Sequence, residues 1–139
     1  PAVDARMRAT AESVLRAVGT AVWVEEEAQM DAVTALSGSG PAYFFLLMES
    51  LERAGVALGL DPATARLLTL ETAYGAAKMA LEGGEEPGVL RARVTSPGGT
   101  TERALAVLEQ GRFAPLVADA VTAATERARE LADMFGRAS

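Results

Sequence analysis

The segment Val94–Thr101 has residue types that suit the binding of a small anion. It reads Val-Thr-Ser-Pro-Gly-Gly-Thr-Thr. Pro97 ends a preceding helix, whereas Gly98 and Gly99 allow positive φ and let a ligand approach the backbone closely. A helix that begins at the threonines leaves free N–H groups at the positive end of its dipole, where a carboxylate or phosphate binds. An ordinary linker between two helices, with threonine as the cap, is the alternative interpretation.

A second loop, Ser37–Pro41, reads Ser-Gly-Ser-Gly-Pro. It lacks the third glycine of a dinucleotide-binding loop and does not follow a strand, so a helix break is the favoured interpretation. The break could still face a cofactor that another domain holds. In that case Ser39, Gly40 and Pro41 are the residues expected to contact it.

Histidine and cysteine are both missing from the 139 residues. Their absence excludes Ser-His and Cys-His triads, disulfides and the common zinc sites, and we expect no bound metal. Lys78 is the remaining candidate for chemistry. It is either a surface lysine lying over a row of alanines or a partner for a buried charge or a substrate.

Composition favours a mainly α-helical domain. Half of the residues are hydrophobic, yet aromatics make up only 5%, a balance typical of close-packed helices. The net charge of −6 and pI near 4.7 argue against nucleic-acid binding. The longest apolar run, from Ala42 to Met48, is far too short to span a membrane.

Proline, glycine and capping residues divide the chain into helices. They are predicted at 4–18, 29–36, 41–59, 63–82, 87–93, 101–110 and from 113 onward. Between the first two, Thr20–Val24 is β-branched and aromatic, which predicts a strand. This strand is either an extended connector or the last strand of a sheet whose other members lie elsewhere.

The helix that begins near Pro41 is apolar on every side. Its first half reads Tyr-Phe-Phe-Leu-Leu-Met at positions 43–48. A helix of this kind must be enclosed by other helices. Because one short chain would hardly enclose it, we expect a second subunit to pack against it.

Three blocks together resemble one known family. They are Asp31–Tyr43, the Gly-Ala-Ala-Lys-Met block at 75–79, and Val94–Thr101. Their order and spacing are similar to those of the C-terminal part of pyrroline-5-carboxylate reductase, and the likeness runs from about Asp4 to Glu130. Members of that family reduce Δ1-pyrroline-5-carboxylate to L-proline with NADPH or NADH in proline biosynthesis.

The resemblance implies a helical bundle of the 6-phosphogluconate dehydrogenase C-terminal-like type, in an interlocked homodimer or a higher oligomer. Residues 1–26 would be the last helix and strand of a nucleotide-binding domain, and residues 27–139 the dimerisation and substrate-binding domain. NADP or NAD would be bound mainly by a domain missing from this chain, so the chain alone is expected to be inactive. A cytoplasmic location is expected.

The resemblance also implies roles for the loop residues. Ser96, Gly98, Gly99, Thr100 and Thr101 match the positions that bind the substrate carboxylate. The hydroxyl group at the position of Thr101 lies near the pyrroline nitrogen in the family, so Thr101 is the expected catalytic residue.

Two other functions stay open on the sequence alone. One is a non-catalytic helical oligomerisation module derived from the same family. The other is the helical domain of a different imine or hydroxyacid dehydrogenase with the same architecture.

Overall fold

The structure, a computed structural model, describes residues 3–136, which are mainly α-helical as predicted. The helices are α1 (Ala5–Arg16), α2 (Gln29–Val33), α3 (Gly40–Ala57), α4 (Pro62–Gly83), α5 (Pro87–Arg93), α6 (Thr100–Gln110) and α7 (Phe113–Gly136), and a π-helical turn, Thr34–Gly38, lies between α2 and α3. The chain divides into two compact units, one ending at Met30 and one beginning at Asp31.

The first unit is α1 and the segment that follows it. Trp23 donates a hydrogen bond from Nε1 to the Glu12 carboxylate over 3.2 Å, and the Arg8 guanidinium lies 4.4 Å from the centre of the Trp23 ring. The hydrogen bond from Arg16, and then that from Trp23, lowers the pKa of Glu12 below its ordinary value. These contacts hold Trp23 against α1.

The strand predicted at Thr20–Val24 is corrected by the structure, which is irregular there. A strand needs a neighbour to pair its backbone N–H and C=O groups, and residues 3–136 contain no strand that could do so. The β-branched composition of this segment therefore does not produce a strand within the described chain.

In the second unit, capping residues fix where the helices begin and end. The carboxylate of Asp61 accepts hydrogen bonds from the N–H groups of Ala63 and Thr64, each with an N···O distance of 3.1 Å. Pro62 occupies the first turn of α4. Gly59 and Gly84, which follow α3 and α4, have φ of 100° and 65°. Glycine is favoured at both positions because other residues rarely adopt such angles.

The π-helical turn is the one departure from the predicted course of these helices. The N–H of Ser39 donates a hydrogen bond to the carbonyl of Thr34, five residues earlier in the chain, with an N···O distance of 2.9 Å. The Tyr43 hydroxyl donates to the carbonyl of Ala35 over 3.1 Å, and Ala35 is fully buried. A tertiary contact from α3 therefore accompanies the widened turn.

The core of the described chain is small. Helix α3 packs on α4, α7 on the π-helical turn, and α6 on α7. The fully buried apolar side chains of the described residues belong to Ala35 and Ala65, and Phe44 and Phe45 of α3 each remain 65% exposed. A large apolar surface thus stays uncovered.

None of the helices within residues 3–136 combines the length and the apolar character that crossing a membrane requires.

Candidate functional site

The loop Val94–Gly99 connects α5 to α6. The Thr95 hydroxyl donates to the carbonyl of Arg91 over 2.6 Å and thereby closes the end of α5. Arg93, the last residue of α5, forms an ion pair with Glu85, which lies just before that helix. Both ends of α5 are thus tied together immediately ahead of the loop.

The two adjacent glycines of the loop are required for different reasons. Gly98 has φ of 71°, in the left-handed region that favours glycine. Gly99 has φ of −82°, which any residue can adopt, but a Cβ there would lie 2.6 Å from the Ser96 Oγ and 3.0 Å from the Ser96 carbonyl oxygen. The second glycine therefore makes room for Ser96.

The N–H groups of Gly98 and Gly99 already have hydrogen-bond partners. Gly98 donates to the Glu102 carboxylate over 2.8 Å, and Gly99 donates to the carbonyl of Ser96 over 3.0 Å. The first hydrogen bond of α6 itself runs from Arg103 back to Gly99, over 3.3 Å. Gly98 and Gly99 thus shape the turn, and their own N–H groups are not free to receive an anion.

Helix α6 leaves its first N–H groups available, as a helix N-terminus must. In the part of the chain that the structure describes, no hydrogen bond involves the N–H of Thr100 or Thr101. Thr100 is exposed and Thr101 is half-buried. The first turn of α6 therefore combines these two N–H groups with the positive end of the helix dipole, an arrangement that suits a carboxylate.

Ser39, Gly40 and Pro41 lie in the second predicted site, between the π-helical turn and the first turn of α3. The Ser39 N–H bonds Thr34, the Ala42 N–H bonds the Ser39 carbonyl over 3.0 Å, and Pro41 has no N–H. No hydrogen bond of the described residues joins this turn to the Ser96–Thr101 loop. The turn does not present a row of amides to a pyrophosphate.

Lys78 lies on the surface of α4. Its Nζ is 3.7 Å from the Glu82 carboxylate and 6.0 Å from the centre of the Tyr74 ring, and its side chain is 51% exposed. This environment matches the surface lysine of the two interpretations considered above.

Comparison with known proteins identifies the family. Residues 27–131, more than half of the chain, match the family described as pyrroline-5-carboxylate reductase dimerisation. The chain belongs to this family. It is 53% identical to the pyrroline-5-carboxylate reductase of Pseudomonas aeruginosa over 135 residues, which cover 97% of this chain and 50% of the relative.

Solved structures of pyrroline-5-carboxylate reductases share the fold. The enzyme from Coxiella burnetii is similar with a TM-score of 0.89 and 53% identity, over 93% of this chain and 48% of that one. The pyrroline carboxylate reductase of Plasmodium falciparum, solved with NADP bound, is similar with a TM-score of 0.81 and 34% identity, over 92% and 51% of the two chains. The chain spans about half the length of the relatives it matches. The predicted family and helical-bundle fold are both confirmed.

In this member of the pyrroline-5-carboxylate reductase family, Glu102 was not among the residues predicted from the sequence to belong to the site. The residue is the third of α6, where a glutamate often reaches back to the N–H groups ahead of the helix. That spacing was the available signal. The roles of Ser39, Gly40, Pro41 and the loop residues Ser96 to Thr101 stay predictions.

Proposed function

We propose that the chain is the substrate-binding and dimerising part of an enzyme that reduces Δ1-pyrroline-5-carboxylate to L-proline. The observation that supports this most is the pair of free N–H groups at Thr100 and Thr101, presented by the left-handed turn at Gly98 in a member of this family. A carboxylate of the substrate would accept from these N–H groups, and the Thr100 and Ser96 hydroxyls would border it.

Thr101 has a second role in this proposal. Its hydroxyl would lie beside the ring nitrogen once the carboxylate is anchored on α6. The protonated imine is already electrophilic, so the hydride adds to the carbon of the C=N bond and the π electrons move onto nitrogen, which gives the amine of L-proline. A chain without histidine can support this step because no side chain has to transfer a proton.

The nicotinamide cofactor supplies the hydride in this reaction. The relative from Plasmodium falciparum was solved with NADP, and we extend NADP or NAD to this protein. In the turn at Ser39–Pro41, the Ser39 N–H is already bonded and Pro41 has no N–H, which leaves few donors for a pyrophosphate. Ser39, Gly40 and Pro41 would at most border a cofactor held elsewhere, and residues 1–26 would be the end of the nucleotide-binding portion.

We further propose that residues 27–139 form a homodimer. The family is defined by dimerisation, and α3 offers the surface, because Phe44, Phe45 and Leu46 are each about two-thirds exposed. An uncovered apolar face of this size is unusual on a monomer. An interlocked arrangement would cover it.

Titration of the chain with L-proline tests the carboxylate site. Amide NMR spectra should show saturable shifts centred on Thr100 and Thr101, with pyrrolidine, which lacks the carboxylate, as the control that causes none. The rival function is a non-catalytic oligomerisation module. One observation supports it, because the N–H groups of Gly98 and Gly99 are already hydrogen-bonded to Glu102 and Ser96. A folded dimer whose loop amides do not respond to L-proline would support the rival and overturn the proposal.

A further inference from the structure

Within residues 3–136, Glu102 is the charged side chain that accepts a hydrogen bond from the backbone of the loop Val94–Gly99. Its Oε2 atom accepts from the Gly98 N–H over 2.8 Å, and the side chain forms no ion pair among the described residues. Glu102 lies in α6 itself. The hydrogen bond therefore connects the helix that offers the free N–H groups to the residue that makes the left-handed turn.

The hydrogen bond from Gly98 to Glu102 fixes the turn at Gly98, the residue with a left-handed backbone conformation. Gly98 is held at φ of 71°, and the other hydrogen bond that the described residues form across the turn runs from the Gly99 N–H to the Ser96 carbonyl. Glycine is the most flexible residue, so an unanchored Gly98 would sample many conformations. Ordering the turn on binding would then lower the affinity for a ligand.

We propose that Glu102 is a positioning residue for the carboxylate site, a role that rests on the proposed function. Its carboxylate holds Gly98 in place and keeps the Thr100 and Thr101 N–H groups aligned before a ligand arrives. It does not touch the substrate. It acts through Gly98.

The charge of Glu102 has an opposite effect on an anion, because two carboxylates close to one helix terminus repel each other. Glu102→Gln removes this charge and keeps an oxygen that can accept from Gly98. Glu102→Ala removes both. The comparison of the alanine with the glutamine variant thus isolates the hydrogen bond, because neither variant carries the charge.

The experiment measures Kd for L-proline by amide NMR in wild type, Glu102→Gln, Glu102→Ala and Glu109→Ala. Glu109 is an exposed glutamate near the other end of α6 and serves as the control for helix effects. We expect Glu102→Ala to bind about fivefold more weakly than Glu102→Gln, the ratio that corresponds to one ordinary hydrogen bond. Glu109→Ala should bind like wild type. Circular dichroism confirms that each variant is folded.

The outcomes separate this inference from the proposed function. A wild-type chain that binds no L-proline overturns the proposed function, and the inference with it. A wild type that binds, together with equal Kd values for Glu102→Ala and Glu102→Gln, overturns the role of Glu102 alone. A loss of affinity that is the same in Glu109→Ala also overturns it, since the effect would then belong to α6 as a whole.

Discussion

At the scale of single residues, Gly98 and Gly99 show how two identical neighbours can serve different purposes. Gly98 supplies a backbone angle, φ of 71°, and Gly99 supplies space beside Ser96. The substitutions that each position tolerates should therefore differ.

Gly98→Ala should lower the free energy of unfolding by roughly 1–2 kcal/mol, because a Cβ is unfavourable in the left-handed region. Gly98→Asn should lower it less, since asparagine tolerates that region better. Urea unfolding of the chain measures both. Equal losses for the alanine and asparagine variants would show that φ is not what the position requires.

Gly99→Ala should cost a similar amount, roughly 1–3 kcal/mol, through the contact with Ser96. Adding Ser96→Ala should restore part of this loss, because the Oγ contact disappears and the carbonyl contact at 3.0 Å remains. The same Ser96→Ala change should not restore the free energy of unfolding that Gly98→Ala loses. A double-mutant cycle with additive effects at 96 and 99 would contradict the steric explanation.

The sequence allowed the loop to be recognised but not its hydrogen bonds. Adjacent glycines and paired threonines indicate an anion site, yet the second glycine is explained by Ser96, and the Gly98 amide is taken by Glu102. Both contacts depend on side-chain orientations, which the residue types do not determine. The N–H groups of Thr100 and Thr101 form no hydrogen bond within the described chain, whereas those of Gly98 and Gly99 do.

At the scale of the elements, α4 begins with a cap whose strength depends on pH. Hydrogen bonds from the Thr64 side chain, and then from the backbone N–H groups of Thr64 and Ala63, lower the pKa of Asp61 below its ordinary value. A group with a lowered pKa in the folded state stabilises the fold above its ordinary pKa. That contribution is lost as pH falls through the folded-state pKa.

Asp61→Ala should therefore destabilise the chain at neutral pH, and the difference from wild type should shrink as the solution is acidified through the carboxylate range. Asp61→Asn keeps a capping oxygen without a titrating group, so its advantage over alanine should not change with pH. Thermal unfolding at a series of pH values measures both differences. A wild-type advantage that stays constant down to acidic pH would contradict the charged cap.

The helices were predictable because their ends are marked in the sequence. Asp61 and Pro62 begin α4 as expected, and Gly59 ends the α3 region. The π-helical turn was not predictable, because the hydrogen bond from Ser39 to Thr34 and the contact of Tyr43 with Ala35 involve tertiary packing. No strand forms at Thr20–Val24 in the described residues, because pairing partners decide whether a β-branched segment becomes a strand.

At the scale of the whole molecule, the proposed homodimer depends on the apolar face of α3. Phe45→Glu should raise the dimer dissociation constant by about a hundredfold, since it removes apolar burial and places a charge in the interface of both copies. Arg66→Glu introduces the same residue at an exposed site on α4 and should leave the dimer intact. Sedimentation equilibrium measures the constant. A monomeric wild type, or equal weakening by both variants, would contradict the proposed interface.

The most direct test of the central claim is a fusion of this chain to the N-terminal half of the Pseudomonas aeruginosa reductase. This chain is 53% identical to the other half of that relative. The assay measures NADPH oxidation with Δ1-pyrroline-5-carboxylate as the substrate. We predict that the fusion forms one L-proline per NADPH and that either half alone is inactive. Thr101→Val should lower kcat/KM of the fusion about tenfold or more, whereas Thr101→Ser should retain activity. A folded, dimeric fusion without turnover, or one whose kcat/KM is unchanged by Thr101→Val, would contradict the account.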